Sequence, residues 1–194
     1  MIVRKQLPPK FKDYRRFKKY VRIDFDFRCA YCGITEYRWG SDRNFVVEHF
    51  RPRSKFNELI CEYSNLYYAC NRCNDFKSDI WPTPVQTKNG FGWADPCECD
   101  VLGEHLAELD DGTLQVLTKV GEYTELHLLL NAREYLVTWR RERKQLIKDI
   151  KETLRIVARL ESEAVPKLSR KWQQQILELI GLHKRLCERL QQEY

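Results

Sequence analysis

The sequence predicts an α+β fold in which a small cysteine-rich core is followed by a long helical region. Three observations favour this fold: residues 23–80 contain two CxxC pairs around a short apolar run, residues 81–121 are rich in Pro, Gly and Asp, and residues 122–194 show helical periodicity. A basic segment, residues 1–22, precedes the core. We therefore predict four consecutive segments with these boundaries.

The N-terminal segment is strongly basic. Residues 1–22 carry nine lysines and arginines against one acid, Asp13, a local balance of 9 − 1 = +8 in a chain of net charge +6. Apolar residues recur in it at helical spacing: Tyr14, Phe17, Tyr20 and Val21. This spacing predicts an amphipathic helix. The charge favours a polyanionic partner, although a solvated helix face or a flexible tail explains it equally well.

The composition is that of a soluble globular protein. Of the 194 residues, 43% are hydrophobic and 32% are charged, which supplies a core and is too polar for a membrane protein. No apolar run approaches the ~18 residues that a spanning helix needs, and the N-terminus lacks the apolar stretch of a signal peptide. We therefore expect a cytoplasmic protein whose eight cysteines stay reduced.

Four of the cysteines form two matched pairs. The segment CAYC contains Cys29 and Cys32, and the segment CNRC contains Cys70 and Cys73. Two such pairs supply four thiolates for a tetrahedral Zn²⁺ site. A redox pair or chance is the alternative, and two matched pairs make both poor explanations. Zinc would be structural here, because a closed four-sulfur site leaves no open position for catalysis.

The remaining cysteines and histidines lack such a setting. Cys97 and Cys99 in DPCECD have no partner pair, so we expect idle or buried thiols there. His105 fits a surface role better than a place in a site. It precedes a predicted β-hairpin, in which Asp111-Gly112 forms a two-residue turn between HLAEL and TLQVL.

The spacer between the cysteine pairs contains a carboxylate beside a histidine. The run VVEH ends in Glu48-His49, Asn65 precedes the second pair, and Asn74 directly follows it. In order and spacing, VVEHFRP and NLYYACNRCNDFK resemble the HNH endonucleases, whose fold is the ββα-metal fold. The resemblance covers residues 29–77. Glu48 stands where the family more often has Asp, and Asn74 stands where it has its last His.

The resemblance implies a role for each of these four residues. His49 would be the general base that activates water, and Asn65 would brace the loop after His49. Glu48 and Asn74 would hold one divalent cation. Their oxygen donors suit Mg²⁺ or Mn²⁺ better than a histidine-preferring metal. A lone histidine is more often a core residue, but the charged neighbours of His49 argue against a dry core position.

Basic residues lie close to the motif in sequence: Arg51, Arg53, Lys55 and Lys77. We predict that Arg51, Arg53 and Lys77 bind phosphates beside the cut, where arginine is better suited to bidentate contact. Solvated surface charge explains any single one of them equally well.

The last segment predicts two long helices. One apolar stripe comprises Leu136, Trp139, Leu146, Ile150, Leu154 and Val157. After an interruption at Val165-Pro166, a second comprises Leu168, Trp172, Ile176, Ile180, Leu186 and Leu190. We predict a helical hairpin whose stripes form ordinary core packing, with a homodimer contact as the alternative.

A narrower resemblance concerns three segments: VEHFRPRSKF, DPCECD and LHLLLNAREYLVTWRRERK. They look like parts of the HNH proteins of Septu-type and retron-linked anti-phage systems, in which an ATPase partners the nuclease. This resemblance implies antiviral defence as a context and an ATPase as a partner protein.

Together these observations predict a metal-dependent endonuclease that hydrolyses phosphodiester bonds in DNA. Two alternatives stay open: a zinc-stabilised nucleic-acid-binding module without catalysis, and a nuclease that cleaves RNA such as tRNA. The set of Glu48, His49, Asn65 and Asn74 favours catalysis, because a binding module needs no base beside metal ligands. A single such centre cuts one strand, so a double-strand break would need a homodimer or two visits.

Overall fold

A computed structural model describes residues 1–163 and 168–193 and confirms the predicted α+β fold. The chain divides into two compact units, residues 1–138 and 139–194. The first unit contains the cysteine pairs and the predicted catalytic residues, within two small antiparallel sheets and short helices.

The predicted helix occupies only the second half of the N-terminal segment, because residues 1–13 form no helix. A 3₁₀ turn at Tyr14–Phe17 leads into helix α1, Lys18–Asp24. The turn begins at Asp13, whose side chain accepts a hydrogen bond from the Arg15 amide at 3.0 Å. Such a cap satisfies one of the free amides at a helix start.

Part of the predicted basic charge is used inside the first unit. The Arg4 guanidinium donates to the Leu66 carbonyl at 2.8 Å and lies 5.0 Å from the centroid of the Tyr67 ring. Arg22 donates to Glu36 at 2.6 and 2.8 Å. These two arginines therefore stabilise the fold, and the segment presents less charge to solvent than its sequence indicates.

The core of the first unit is a β-β-α arrangement. Strand β1, Phe45–His49, pairs antiparallel with strand β2, Leu66–Cys70, and helix α2, Asn71–Lys77, follows β2 directly. Strand β2 is buried along its whole length, in keeping with its aromatic sequence LYYAC. The register places His49 opposite Leu66 and Phe45 opposite Cys70. The start of β1 therefore lies close to the start of α2.

The first cysteine pair lies in a tight loop beside this sheet. The Ala30 amide donates to the Tyr68 carbonyl at 2.8 Å, which ties the loop to β2. Gly33 ends the pair with φ of 72°, a left-handed conformation that glycine adopts at little cost. Its amide donates to the Cys29 carbonyl at 3.0 Å and closes the turn.

Residues 81–121 contain the predicted hairpin and two short helices. Helix α3, Pro84–Lys88, starts with a capping box formed by Thr83 and Gln86. A π-helical turn, Val101–His105, precedes strand β3, Leu106–Glu108, which pairs with strand β4, Leu114–Val116.

The hairpin turn is wider than predicted. The Leu109 amide donates to the Thr113 carbonyl at 2.9 Å, so the chain reverses through Asp110, Asp111 and Gly112 rather than through two residues. Gly112 adopts the positive φ, 87°.

The remaining helices are long. Helix α4, Lys119–Leu128, is followed by α5, Glu134–Glu163, and α6, Arg170–Glu193. Lys184 on α6 and Glu161 on α5 form an ion pair at 2.5 Å.

The predicted apolar stripes are only partly buried, and the interruption at Val165-Pro166 lies outside the described residues. Ile150 is buried, whereas Trp172 and Leu186 are more than half exposed. No described helix combines the length and apolarity that crossing a membrane requires.

Candidate active site

The four cysteines of the two CxxC pairs meet at one point. All four sulfurs lie within 4.8 Å of one another, and those of Cys32 and Cys70 are 3.9 Å apart. Cys70 and Cys73 come from the β2–α2 junction, where the Cys70 sulfur accepts the Cys73 amide at 3.4 Å. Four converging cysteine sulfurs are the donor set of a structural zinc site. The cluster predicted from the spacing is therefore present.

A buried arginine contacts one sulfur of this cysteine cluster. The Arg133 Nη1 and Nη2 atoms lie 3.4 and 3.5 Å from the Cys73 sulfur, and its Nε donates to the Leu129 carbonyl at 3.3 Å. Arg133 is 8% exposed. A cation in this position would offset part of the negative charge that four thiolates carry around a zinc ion. No sequence pattern indicated it, because Arg133 lies 60 residues after Cys73.

The predicted base, His49, is held in one orientation at the end of β1. Its Nε2 is 3.0 Å from the Ile60 carbonyl oxygen, and its ring centroid is 4.6 Å from that of Tyr14. A carbonyl only accepts, so Nε2 carries the hydrogen and Nδ1 of the neutral ring keeps its lone pair. Burial lowers the pKa of His49 below its ordinary 6.5, and the charges of Arg53 and Lys77 act in the same direction.

Asn65 connects the two sides of the loop that follows His49. Its Oδ1 accepts the Arg51 amide at 2.8 Å, and its Nδ2 donates to the Arg51 carbonyl at 3.1 Å and the Leu59 carbonyl at 3.4 Å. The Asn65 carbonyl also accepts the Phe50 amide at 3.0 Å. These contacts fix the backbone on both sides of the segment that presents Ile60 to His49.

Glu48 lies inside the domain and already has two partners. Its Oε1 accepts a hydrogen bond from the Lys77 ammonium at 2.7 Å, and its Oε2 accepts one from the Tyr31 hydroxyl. Burial raises the pKa of the Glu48 carboxyl, whereas Lys77 and Tyr31 oppose this rise by stabilising the carboxylate. The ion pair with Lys77 favours the charged form at neutral pH.

Lys77 departs from its predicted phosphate-binding role. The side chain is fully buried, and its ammonium donates to Glu48 and, at 2.9 Å, to the His49 carbonyl. A phosphate in solvent cannot reach a buried ammonium that is engaged in this way. Lys77 instead links α2 to the end of β1 and thereby positions Glu48 and His49.

A solvent-open cavity of about 470 Å³ brings four of the predicted site residues together. Its lining includes Glu48, His49, Arg53 and Asn74.

Arg51 does not belong to the lining, and its guanidinium lies 5.9 Å from the centroid of the Phe56 ring. His105 also lies elsewhere, with its Nδ1 2.8 Å from the Thr118 hydroxyl. Among the described residues, Cys97 and Cys99 join no metal-binding group.

The cavity also contains residues that the sequence did not single out as site residues. Tyr14 covers one side of His49, and its hydroxyl oxygen lies 3.4 Å from Nη1 of Arg53. Asp75 and Asp79 add two carboxylates to the wall that carries Asn74. A signal existed for Asp75, which is adjacent to Asn74, but none existed for Tyr14, which is 35 residues before His49 in the chain.

The comparison with protein families agrees with this arrangement. The family model described as HNH endonuclease matches residues 29–79, which include both cysteine pairs, the β-β-α core and the cavity residues from Glu48 to Asp79. No curated protein matches the chain.

Proposed function

Residues 29–79 form an HNH endonuclease core, and from this premise we propose that the protein is a metal-dependent nuclease that hydrolyses phosphodiester bonds in DNA. His49 acts as the general base, Asn65 positions it, and Glu48 with Asn74 holds one divalent cation. The cysteine cluster holds a structural zinc ion and takes no part in the reaction.

The observation that carries this proposal is the environment of His49. The imidazole donates through Nε2 to a backbone carbonyl at 3.0 Å, lines a solvent-open cavity, and has a lowered pKa because it is buried. It is therefore neutral at pH 7 with Nδ1 available to take a proton from water. A general base needs both properties. A histidine that served only the fold would need neither the open cavity nor the unprotonated nitrogen.

The donor set of the cavity fits a hard divalent cation. Glu48 and Asn74 supply a carboxylate and an amide oxygen, and Asp75 and Asp79 add negative charge to the same cavity. A carboxylate has about four lone-pair positions, so Glu48 keeps acceptor capacity beyond its bonds to Lys77 and Tyr31. Oxygen donors of this kind suit Mg²⁺ or Mn²⁺. Such a cation, when bound, stabilises charge on the phosphate and the leaving oxygen.

Arg53 is the strongest of the predicted phosphate ligands. Its side chain lines the cavity beside His49, within 3.4 Å of the Tyr14 hydroxyl. Arg51 is exposed outside the cavity, where it could contact a neighbouring phosphate of a longer strand. We assign no phosphate to Lys77, because it is buried against Glu48.

The experiment that tests DNA as the substrate also tests RNA. The antiviral context, the ATPase partner and the homodimer stay predictions from the sequence. A binding module without catalysis is the competing function, and the neutral, oriented imidazole in an open cavity argues against it.

The test is a cleavage assay on three substrates: supercoiled plasmid, single-stranded DNA and single-stranded RNA, each with Mg²⁺, with Mn²⁺ and with chelator. We expect metal-dependent cleavage of DNA that His49→Ala abolishes and His105→Ala leaves unchanged, since His105 lies outside the cavity. Cleavage of RNA alone would transfer the proposal to RNA. An inert protein that still binds nucleic acid would support the binding module.

A further inference from the structure

A second recess lies beside the candidate active site and is lined by residues that no role so far explains. It is an open groove lined by Trp81, Pro82 and Pro84, with Lys55 on the loop after β1 and Lys88 at the end of α3. We call it the Trp81 groove. We infer that it binds an unpaired base of the substrate strand, which stacks on Trp81. This inference rests on the proposed nuclease function.

Aromatic contacts join the Trp81 groove to the loop that follows His49. Trp81 meets the rings of Phe50 and Phe56 edge to face, with centroids 5.8 and 5.4 Å apart. Phe50 directly follows His49 in sequence, and Asp79, which lines the cavity, precedes Trp81 by two residues. Trp81 is half-buried, which leaves part of its indole open to the groove. A strand whose phosphate lies in the cavity therefore passes close to this indole.

The charge of the groove selects the ligand. Lys55 and Lys88 are exposed, and neither forms an ion pair with a described acid. No acidic residue belongs to the lining of the groove. Arg51 adds a third cation next to the aromatic row, at 5.9 Å from the centroid of Phe56. Aromatic rings alternating with cations are the arrangement by which proteins bind single-stranded nucleic acid, because bases stack while the cations contact phosphates.

A proline-rich peptide is the other ligand that aromatic grooves accept. Such a peptide carries no charge that would need Lys55 and Lys88, and it gives no reason for the groove to adjoin the catalytic cavity. A nucleic acid strand accounts for both features. The consequence for the reaction is a preference for strands with unpaired bases beside the cut, since a base within a duplex is stacked on its neighbours and cannot reach Trp81.

The test measures binding rather than cleavage. In a His49→Ala background, a fluorescent single-stranded DNA of 12 nucleotides and a blunt duplex of the same sequence are titrated by anisotropy. We expect Trp81→Leu to weaken single-strand binding about tenfold and duplex binding by less than twofold. Trp81→Phe keeps a stacking face and should lose less. Trp172→Leu is the matched control, because Trp172 is exposed on α6 and should have no effect.

A series of abasic oligonucleotides identifies the base. One abasic position should weaken binding to the protein that retains Trp81. At that position the affinities of this protein and of Trp81→Leu should become equal, because both changes delete the same contact. Lys55→Gln and Lys88→Gln should each lower the salt dependence of single-strand binding by about one phosphate contact. Lys5→Gln should not, since Lys5 is paired with Asp26.

The result that overturns the inference is equal binding of single strands by Trp81 and Trp81→Leu with both proteins folded. A loss that is the same for the duplex and for every abasic strand would also overturn it, because it would not depend on a base. If Trp81→Leu fails to fold, Trp81→Phe and the two lysine variants decide. Normal cleavage with no effect of Trp81→Leu on binding would overturn only the inference about the groove. The expected binding pattern without cleavage by the wild-type chain would overturn only the proposed nuclease activity.

Discussion

The cysteine cluster and the candidate catalytic cavity share one element, helix α2, but differ in how their donor groups are held. Cys73 and Asn74 are neighbours on α2, yet the sulfur belongs to a closed group of four identical donors and the amide lines an open cavity of mixed donors. A closed set fixes its own geometry. An open site needs other groups to orient each side chain, and here Ile60, Tyr14 and Lys77 do so.

The largest expected effect is the loss of the closed site. Cys29→Ser and Cys70→Ser each remove one of four zinc donors, and structural zinc contributes about 10–16 kcal/mol to the folding of small zinc domains. We expect both variants to lose one equivalent of zinc and to unfold, as measured by metal analysis and circular dichroism. Cys99→Ser is the control, because Cys99 lies outside the cluster and donates to the Asp95 carbonyl at 3.1 Å. Folded, zinc-replete variants would contradict the assignment.

The buried pair between Glu48 and Lys77 gives the next effect. Lys77→Met leaves the Glu48 carboxylate buried without its counter-ion, which costs about 3–5 kcal/mol of the free energy of unfolding. The double variant Glu48→Gln, Lys77→Met should recover part of this loss, because no buried charge remains. Urea unfolding measures both. A Lys77→Met protein as stable as wild type, with weaker DNA binding, would restore the predicted phosphate-binding role.

Arg133 contacts the cysteine cluster although it lies outside residues 29–79 in the chain. Arg133→Gln should weaken zinc retention about 10–100-fold, which is usual for loss of a group that contacts a metal ligand. The matched control is Arg72→Gln, which removes a charge next to Cys73 in sequence but from an exposed side chain. Zinc transfer to a competing chelator gives the readout. Equal loss in both variants would mean that net charge, not the contact, matters.

The smallest effect concerns the acid–base state of His49 in metal-free protein. Because burial disfavours the imidazolium, the pKa of His49 should lie below 6.5, and the folded state should lose stability as the pH falls below that value. Nuclear magnetic resonance titration of the ring measures the pKa. His183, whose Nε2 is 3.4 Å from the Cys187 sulfur, provides a comparison in the same sample. A pKa at or above 6.5 would contradict a base that is neutral because it is buried.

The closed site was predictable from the sequence, and the open one only in part. The two CxxC pairs identified the four candidate zinc ligands, because the spacing within each pair brings two sulfurs together and the pairs match. The identities of His49, Asn65 and Asn74 came from a family resemblance whose match is confirmed over residues 29–79. Their partners were not predictable. Lys77 has the sequence position of a surface cation and becomes buried only because α2 packs against the end of β1.

The contact between Tyr14 and His49 was likewise not predictable from the sequence. Its helical spacing with Phe17 predicted a packed face, and Phe17 is indeed buried. Nothing in that spacing indicated that Tyr14 would lie against His49, because the contact depends on how the N-terminal segment crosses the core. Sequence patterns describe what an element buries, and the tertiary fold decides which element covers the site.

We propose that cutting and zinc binding are separate functions of one small core. The direct test measures both on the same sample of His49→Ala: zinc content and the single-turnover rate of DNA cleavage with Mg²⁺ or Mn²⁺. We expect one retained equivalent of zinc and a rate lowered at least about 100-fold, the usual effect of losing a general base. Cleavage within a few-fold of wild type, or loss of zinc together with activity, would contradict it.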